Sequence, residues 1–310
     1  MNTDKTEPWG ILIVDKSQGW TSHDCIAVAR RALGIKKIGH TGTLDPMATG
    51  LLPLCIGRAT RVIEYLEEDE KVYEGSFILG IETDTEGIWG KVLRKSATEQ
   101  KHIETMYAEA GKFSGEMLQK PPMYSAIKVG GRKLYNIARS GESAEINSRR
   151  IFVHSFILGD VRHRSLEVER TEMTVCEVDF TVKVSKETYV RSICRDLGQL
   201  SGCGASMSRL RRISSGSLKL PGLKPEDLKV MRREEILKKI IPVEEALSHM
   251  PKVFLTGDEA ERAAAGQKIF ISPDRWEKTE REIYISICDG QIVSAGYRKE
   301  DRLISKKVFI

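Results

Sequence analysis

Apolar residues recur along this chain with two periods, and the switches between them divide it into elements. A β-type run at 10–15 leads through a turn at 16–19 into helical spacing, with Ile26, Ala29 and Leu33 on one face, Thr21 or Ser22 as cap and Gly34 as stop. Residues 35–46 have no period and carry glycines at 39 and 42; the apolar run 51–56 follows, then a short helix with Val62, Ile63 and Leu66 inward. From 71 to 80 the period becomes two, which puts Tyr73, Gly75, Phe77 and Leu79 on one strand face. Residues 98–110 read as an amphipathic helix through Ile103, Met106, Tyr107 and Ala110, and Pro121-Pro122 interrupts whatever precedes it. Cys176, Val178, Phe180, Val182 and Val184 alternate with polar residues, the clearest strand in the chain. It leads to a helix over 189–200, capped by Thr188 and burying Ile193, Leu197 and Leu200.

Residues 221–229 resemble a linker, and a charged helix is expected beyond them, ending near Met250. After that come a short helix at 258–265 and two strands, 282–288 and 291–297, joined by Asp289-Gly290, a hairpin signal. The pattern predicts an α/β (α+β) protein with a large domain at 1–250 and a small, β-rich one at 251–310. Its length of 310 residues agrees with about two domains of roughly 150.

Composition narrows the class. With 40% apolar and 30% charged residues the chain reads as globular, and runs such as Ile11-Leu12-Ile13-Val14 are far short of the ~18–20 residues of a membrane span. Residues 1–9 lack an apolar signal core, so a cytoplasmic protein with reduced thiols is expected from Cys25, Cys55, Cys176, Cys194, Cys203 and Cys288. No C-x-x-C or H-E-x-x-H spacing suggests a metal, and no G-x-G-x-x-G or P-loop lysine suggests a nucleotide cofactor.

The formal charge of +5 matters less than its distribution. Arg191, Arg195, Arg209, Arg211, Arg212 and Lys219 are accompanied by one acid, Asp196; Lys128, Arg132, Lys133 and Arg139 surround Gly130-Gly131 with none; Arg30, Arg31, Lys36 and Lys37 form a third group. Each is either a solvated helix face or, with others on one surface, part of a polyanion site. Packing explains Gly39-His40-Thr41-Gly42-Thr43-Leu44-Asp45-Pro46 least well. Pro46 biases Asp45 toward extended backbone, so Asp45 is either a turn cap or a carboxylate presented in one direction. By the same residue chemistry Tyr73 reads as core, Arg191 as a surface helix residue and His40 as a loop histidine.

At these residues the chain resembles the bacterial TruB-type tRNA pseudouridine synthases. The Gly39–Pro46 segment, continued by Ala48, Gly50 and Leu51, is similar to the family's catalytic-aspartate loop. Lys71-Val72-Tyr73 matches its tyrosine motif, followed by Leu79-Gly80 and Thr83-Asp84-Thr85. Gln119, Pro121-Pro122, Tyr124-Ser125-Ala126, Lys128, Gly131, Leu134-Tyr135 and Ala138-Arg139 keep a further family spacing, as do Thr188-Tyr189, Arg191-Ser192, Asp196-Leu197-Gly198, Gly202-Cys203-Gly204-Ala205 and Leu210-Arg211-Arg212. Three positions depart: Ser17 replaces a usual proline, Gly87 a common aspartate, and Glu187 the glycine that usually precedes Thr-Tyr.

The resemblance implies a pseudouridine synthase fold, a mixed, mostly antiparallel sheet flanked by helices and loops, with a PUA-like RNA-binding domain at 251–310 supported by Gly266, Asp289-Gly290 and Lys307-Val308-Phe309. It implies cofactor-free isomerisation of uridine 55 in the tRNA T-loop after base flipping. Asp45 would act at the ribose, Arg191 would aim it, and Tyr73 would stack on the uracil. His40 would occupy the vacated space, with Tyr189 and Leu210 lining the pocket. Lys128, Arg132 and Arg139 would grip RNA phosphates from an insertion at about 120–148. The implied partner is tRNA, T-loop and stem, met by a monomer without an obligate protein partner. Guide-RNA-directed relatives share the aspartate loop, but the block from Tyr124 to Arg139 favours the stand-alone bacterial type. A non-catalytic RNA chaperone is the other alternative, and retention of Asp45, Tyr73 and Arg191 argues against it.

Overall fold

The structure, a computed structural model, describes residues 7–67, 70–279 and 282–309. By internal contacts the chain groups into two units, one of Met1–Pro46, Gly50–Glu67 and Gly216–Ile310, the other of Met47–Thr49 and Glu68–Ser215.

In the first unit the strand Gly10–Lys16 runs antiparallel between Ile240–Ile241 and Thr49–Ile56, and Ile38–His40 pairs along the other side of Thr49–Ile56. The helix Ser22–Leu33 has the expected ends: Thr21 Oγ1 accepts from Asp24 N at 3.0 Å, Asp24 Oδ2 accepts from Thr21 N at 2.8 Å, and Gly34 closes it at φ 68°. The charged helix expected to reach Met250 is instead two short ones, Arg233–Leu237 and Val243–Ala246, separated by Ile240–Ile241. Pro242 cannot sit inside a helix, and the two isoleucines pair with Leu12 and Ile11.

A five-stranded sheet follows in the order Lys252–Phe254, Ile283–Cys288, Gln291–Lys299, Arg302–Val308, Ile269–Phe270. Its hairpin turns at Asp289 and Gly290, both at positive φ as a two-residue turn requires. One apolar cluster runs from Ile11, Ile13, Leu51 and Cys55 through Val243 and Leu247 to Ile285, Ile287, Ala295 and Phe309. The C-terminal strands therefore share an interior with the first strands of the chain, besides a cluster of their own around Trp276, Tyr284 and Leu303.

The second unit is an antiparallel sheet in the order Ala205–Ser215, Lys71–Leu79, Thr171–Val184, Arg149–Val168, Gly115–Gln119. Phe77 and Phe180, 6.1 Å apart, and Phe156, 5.7 Å from Phe180, pack on one face. Arg149–Val168 and Ala205–Ser215 have no clean alternation in the sequence because each contains two register shifts. These lie between Val153/Ser155 and Leu158/Val161 in one and between Met207/Arg209 and Arg212/Ser214 in the other, and each shift moves the inward set by one residue.

The helices Gln100–Ala110 and Val190–Ser201 form as expected, with two corrections. Tyr107, 43% exposed, sends its hydroxyl to Gly159 O at 2.8 Å, and Leu200 is 51% exposed, so neither joins the core. Within 120–148, the helix Leu134–Arg139 packs Leu134 and Ile137 with Ile146, Met123 and Ile127 into a small core of its own. Among the described residues no helix is long and apolar enough to cross a membrane.

Candidate functional site

In the first unit the Asp45 loop is held by its main chain. Lys16 has no exposed surface, and its ammonium donates to Ser17 O at 3.1 Å, Trp20 O at 2.7 Å and Pro46 O at 3.0 Å. An ammonium has three donors, which these three carbonyls match. Gly19 N also reaches Pro46 O at 2.8 Å, and Ser22 Oγ binds both Leu44 N, at 3.0 Å, and Leu44 O, at 3.3 Å. Both neighbours of Asp45 are thus pinned, and the half-buried carboxylate starts from a fixed backbone. His40 ends the short strand Ile38–His40, its ring edge-on to His23 at 5.9 Å. Ser17, in place of the usual proline, bonds Glu226 Oε2 at 2.9 Å. The sequence places Lys16 in the turn at 16–19, whereas the structure makes it the last residue of the strand Gly10–Lys16, two positions on from the buried Val14.

In the second unit Tyr73 lies in the central strand opposite Val182 on one side and Arg212 on the other. Leu210 stands opposite Gly75, two residues on, so Tyr73 and Leu210 share a face, as the alternation predicts. Gly75 leaves the room there. A Cβ at that position would come within 2.5 Å of both Arg209 O and the Phe180 ring. Arg212, read as part of a basic cluster and of the Leu210-Arg211-Arg212 motif, is 1% exposed on the same face.

Tyr189 and Arg191 open the helix Val190–Ser201, but Thr188 does not cap it. Gln119, itself buried, brackets Tyr189 instead: its Oε1 accepts from Tyr189 N at 2.8 Å and its Nε2 donates to Tyr189 O at 3.0 Å. Glu187 adopts φ 64°, a left-handed backbone that favours glycine, at a strain cost of about 1–3 kcal/mol. Arg149 helps hold it, pairing with Glu187 Oε2 at 3.2 Å and lying over the Tyr189 ring at 4.8 Å.

Arg191 is 7% exposed and so is not the surface residue its helix position suggests. Its Nη1 donates to Thr85 O at 2.7 Å and its Nη2 to Tyr124 O at 3.0 Å. Beside Thr85, Asp84 Oδ2 accepts the Tyr124 hydroxyl at 3.1 Å, and Glu86 accepts from Ser192 Oγ at 2.7 Å and pairs with Arg195. Burial pushes the Glu86 carboxyl above the ordinary carboxylate range, against the pull of Arg195 and the Ser192 bond. At 87, where an aspartate is common, a Cβ would come within 3.4 Å of the Trp89 ring.

Lys128, Arg132 and Arg139 are all exposed. Their cluster is free of acids in sequence but not in space: Arg132 pairs with Glu142 at 2.9 Å and holds that carboxyl down at about 2. Lys133 and Arg139 both stand over the Tyr135 ring, at 5.5 and 5.7 Å. Most of the cluster between 191 and 219 is buried or paired. Arg191 and Arg212 are buried, Arg195 binds Glu86 and Asp196, and Arg209 reaches Asp179 at 3.3 Å. Asp45 and His40 belong to the first unit; Tyr73, Tyr189, Arg191, Leu210, Lys128, Arg132 and Arg139 belong to the second.

Comparison with known proteins gives the family. Residues 30–190 match the TruB family pseudouridylate synthase N-terminal domain, and residues 191–248 match the tRNA pseudouridylate synthase B C-terminal domain. The tRNA pseudouridine synthase B of Clostridium kluyveri is 36% identical over 305 residues, 97% of this chain and 99% of that protein. The tRNA pseudouridine synthase B of Lactococcus lactis is 39% identical over 274 residues, 87% of this chain and 81% of its own. Among solved structures, one in a Cbf5-Nop10-Gar1 complex superimposes with a TM-score of 0.70 at 26% identity, covering 100% of this chain and 88% of that one. Another, in an H/ACA RNP bound to a substrate RNA containing 2'-deoxyuridine, gives 0.69 at 24% and shows the common fold. With more than half its length in the first of these domains and curated relatives matched almost end to end, this chain belongs to the TruB family of pseudouridylate synthases.

Proposed function

We propose that this protein isomerises a uridine of tRNA, position 55 in the T-loop, to pseudouridine, working as a monomer in the cytoplasm. The observation that carries the reading is the near end-to-end relationship to a tRNA pseudouridine synthase B, 97% of this chain against 99% of that protein. The reaction breaks N1–C1′, turns the uracil, joins C5 to C1′ and releases the C5 proton to solvent while N1 takes one up. It is redox-neutral and calls for no cofactor. The target nucleotide leaves its stack first, since no side chain reaches C1′ inside a folded T-loop.

Asp45 is the carboxylate that acts at the ribose, as nucleophile at C1′ or as acceptor of the 2′ proton. Tyr73 stacks on the uracil, Arg191 serves the same step, Tyr189 and Leu210 line the base, and His40 fills the space it leaves. Lys128, Arg132 and Arg139 take phosphates from the insertion at 120–148, and the β-rich segment 251–310 adds PUA-like RNA contacts to the catalytic part at 1–250.

Tritium release from tRNA labelled at uridine C5 tests this. Wild type releases tritium without added metal or nucleotide and spares a tRNA mutated in the T-loop. Asp45→Asn binds RNA but releases near background, and Arg191→Ala loses turnover more than affinity. Normal turnover by Asp45→Asn would sink the mechanism; binding without release by wild type would favour the chaperone.

A further inference from the structure

Two main-chain carbonyls that receive the Arg191 guanidinium come from different segments, Thr85 and Tyr124. The first sits in a well-anchored turn: Thr83 Oγ1 and Thr85 Oγ1 bond Gly87 O at 2.6 and 3.0 Å, and Glu86 and Ile88 exchange bonds with Met207. Tyr124 lies in the irregular stretch between Gly115–Gln119 and Lys128–Val129, at the root of the insertion. Its phenol donates to Asp84 Oδ2, while Asp84 Oδ1 accepts Lys91 N at 2.8 Å. Arg191, Thr85, Asp84 and Tyr124 thereby close a ring of bonds.

The same stretch is tied to the insertion's cations. Tyr135 N bonds Ser125 O at 3.1 Å, Leu134 N bonds Ile127 O at 2.8 Å, and Met123 packs into the insertion's core. Arg139 stands over the Tyr135 ring, so packed and bonded neighbours connect it to the stretch that carries Tyr124. Burial first, then the Asp84 bond, raise the phenol above its ordinary range, so it keeps its donor proton.

We infer that Tyr124 is a positioning residue that couples the insertion to Arg191, its phenol on Asp84 fixing the carbonyl that aims the guanidinium. This rests on the proposed function and adds a path by which RNA held by the insertion sets the reactive arrangement.

Single-turnover tritium release at saturating tRNA, measured beside RNA affinity and melting temperature, tests it. Tyr124→Phe keeps the ring and should slow release about tenfold, the loss of one bond to a charged acceptor, with affinity within about twofold. Asp84→Asn should slow it comparably, and the double variant should be no slower than the slower single one. On an Arg191→Lys background, where a rotating ammonium has no planar fork for the two carbonyls to orient, Tyr124→Phe should cost less than about twofold. Unchanged release by Tyr124→Phe, multiplied losses in the double variant, or an equal loss of affinity would each overturn the coupling. Wild type that releases nothing would overturn the proposed function and the coupling with it, whereas active wild type with an unaffected Tyr124→Phe overturns the coupling alone.

Discussion

Lys16 shows how far one side chain can fix a site it does not belong to. Buried, it exchanges water for three carbonyls, one of them beside Asp45, so its charge is spent on the course of the main chain. Lys16→Met would leave Ser17 O and Trp20 O without that donor, while Pro46 O keeps Gly19 N. The expected cost is about 2–5 kcal/mol of unfolding free energy, read by urea denaturation, and a loss below about 0.5 kcal/mol would show that water replaces the ammonium. The Asp45 segment announces itself by its glycines and proline. The carbonyls that receive Arg191 do not, because a main-chain acceptor has no residue type and Thr85 and Tyr124 lie 39 positions apart.

At the scale of elements, local chemistry settles where helices begin when the cap is local. Thr21 with Asp24 and Thr256 with Glu259 are capping boxes that three-residue spacing reveals. Glu259 also receives Arg275 at 2.8 and 2.7 Å, and chiefly that bond holds its carboxyl down at about 2, against an ordinary 4.5. A lowered folded value stabilises above the ordinary one and is lost as pH falls from about 4.5 toward 2. Glu259→Gln should therefore melt lower than wild type at pH 7 and converge with it near pH 2; parallel melting curves across that window would refute the assignment. The helix at Val190 follows the other rule. Its bracket is Gln119, 70 residues away, so proximity in sequence pointed wrongly to Thr188.

For the molecule as a whole, a β-rich C-terminal segment is legible from its hairpin, but its attachment is not. Ile285, Ile287 and Phe309 complete an interior begun by Ile11, Ile13 and Leu51, and Phe309 also stacks on Trp9 at 6.5 Å. Phe309→Ala should cost about 3–5 kcal/mol and, because the cluster is shared, raise amide exchange in Gly10–Lys16 as well as in Ile283–Cys288. Faster exchange confined to the C-terminal strands would mean that they open independently.

The sequence by itself determined the elements whose apolar period is unbroken, the hairpin at Asp289-Gly290, the ends of the helix Ser22–Leu33, and the motifs of a pseudouridylate synthase family, because each of these is written in neighbouring residues. Only the tertiary structure decided which strands pair across two register shifts, which arginines pair with Glu86, Asp179 and Glu142, and which carbonyls receive Arg191. Those outcomes depend on hydrogen bonds and ion pairs between residues that are not neighbours in sequence; burial makes the bonds of Arg191 and Glu86 obligatory, and none of the pairs leaves a periodic trace.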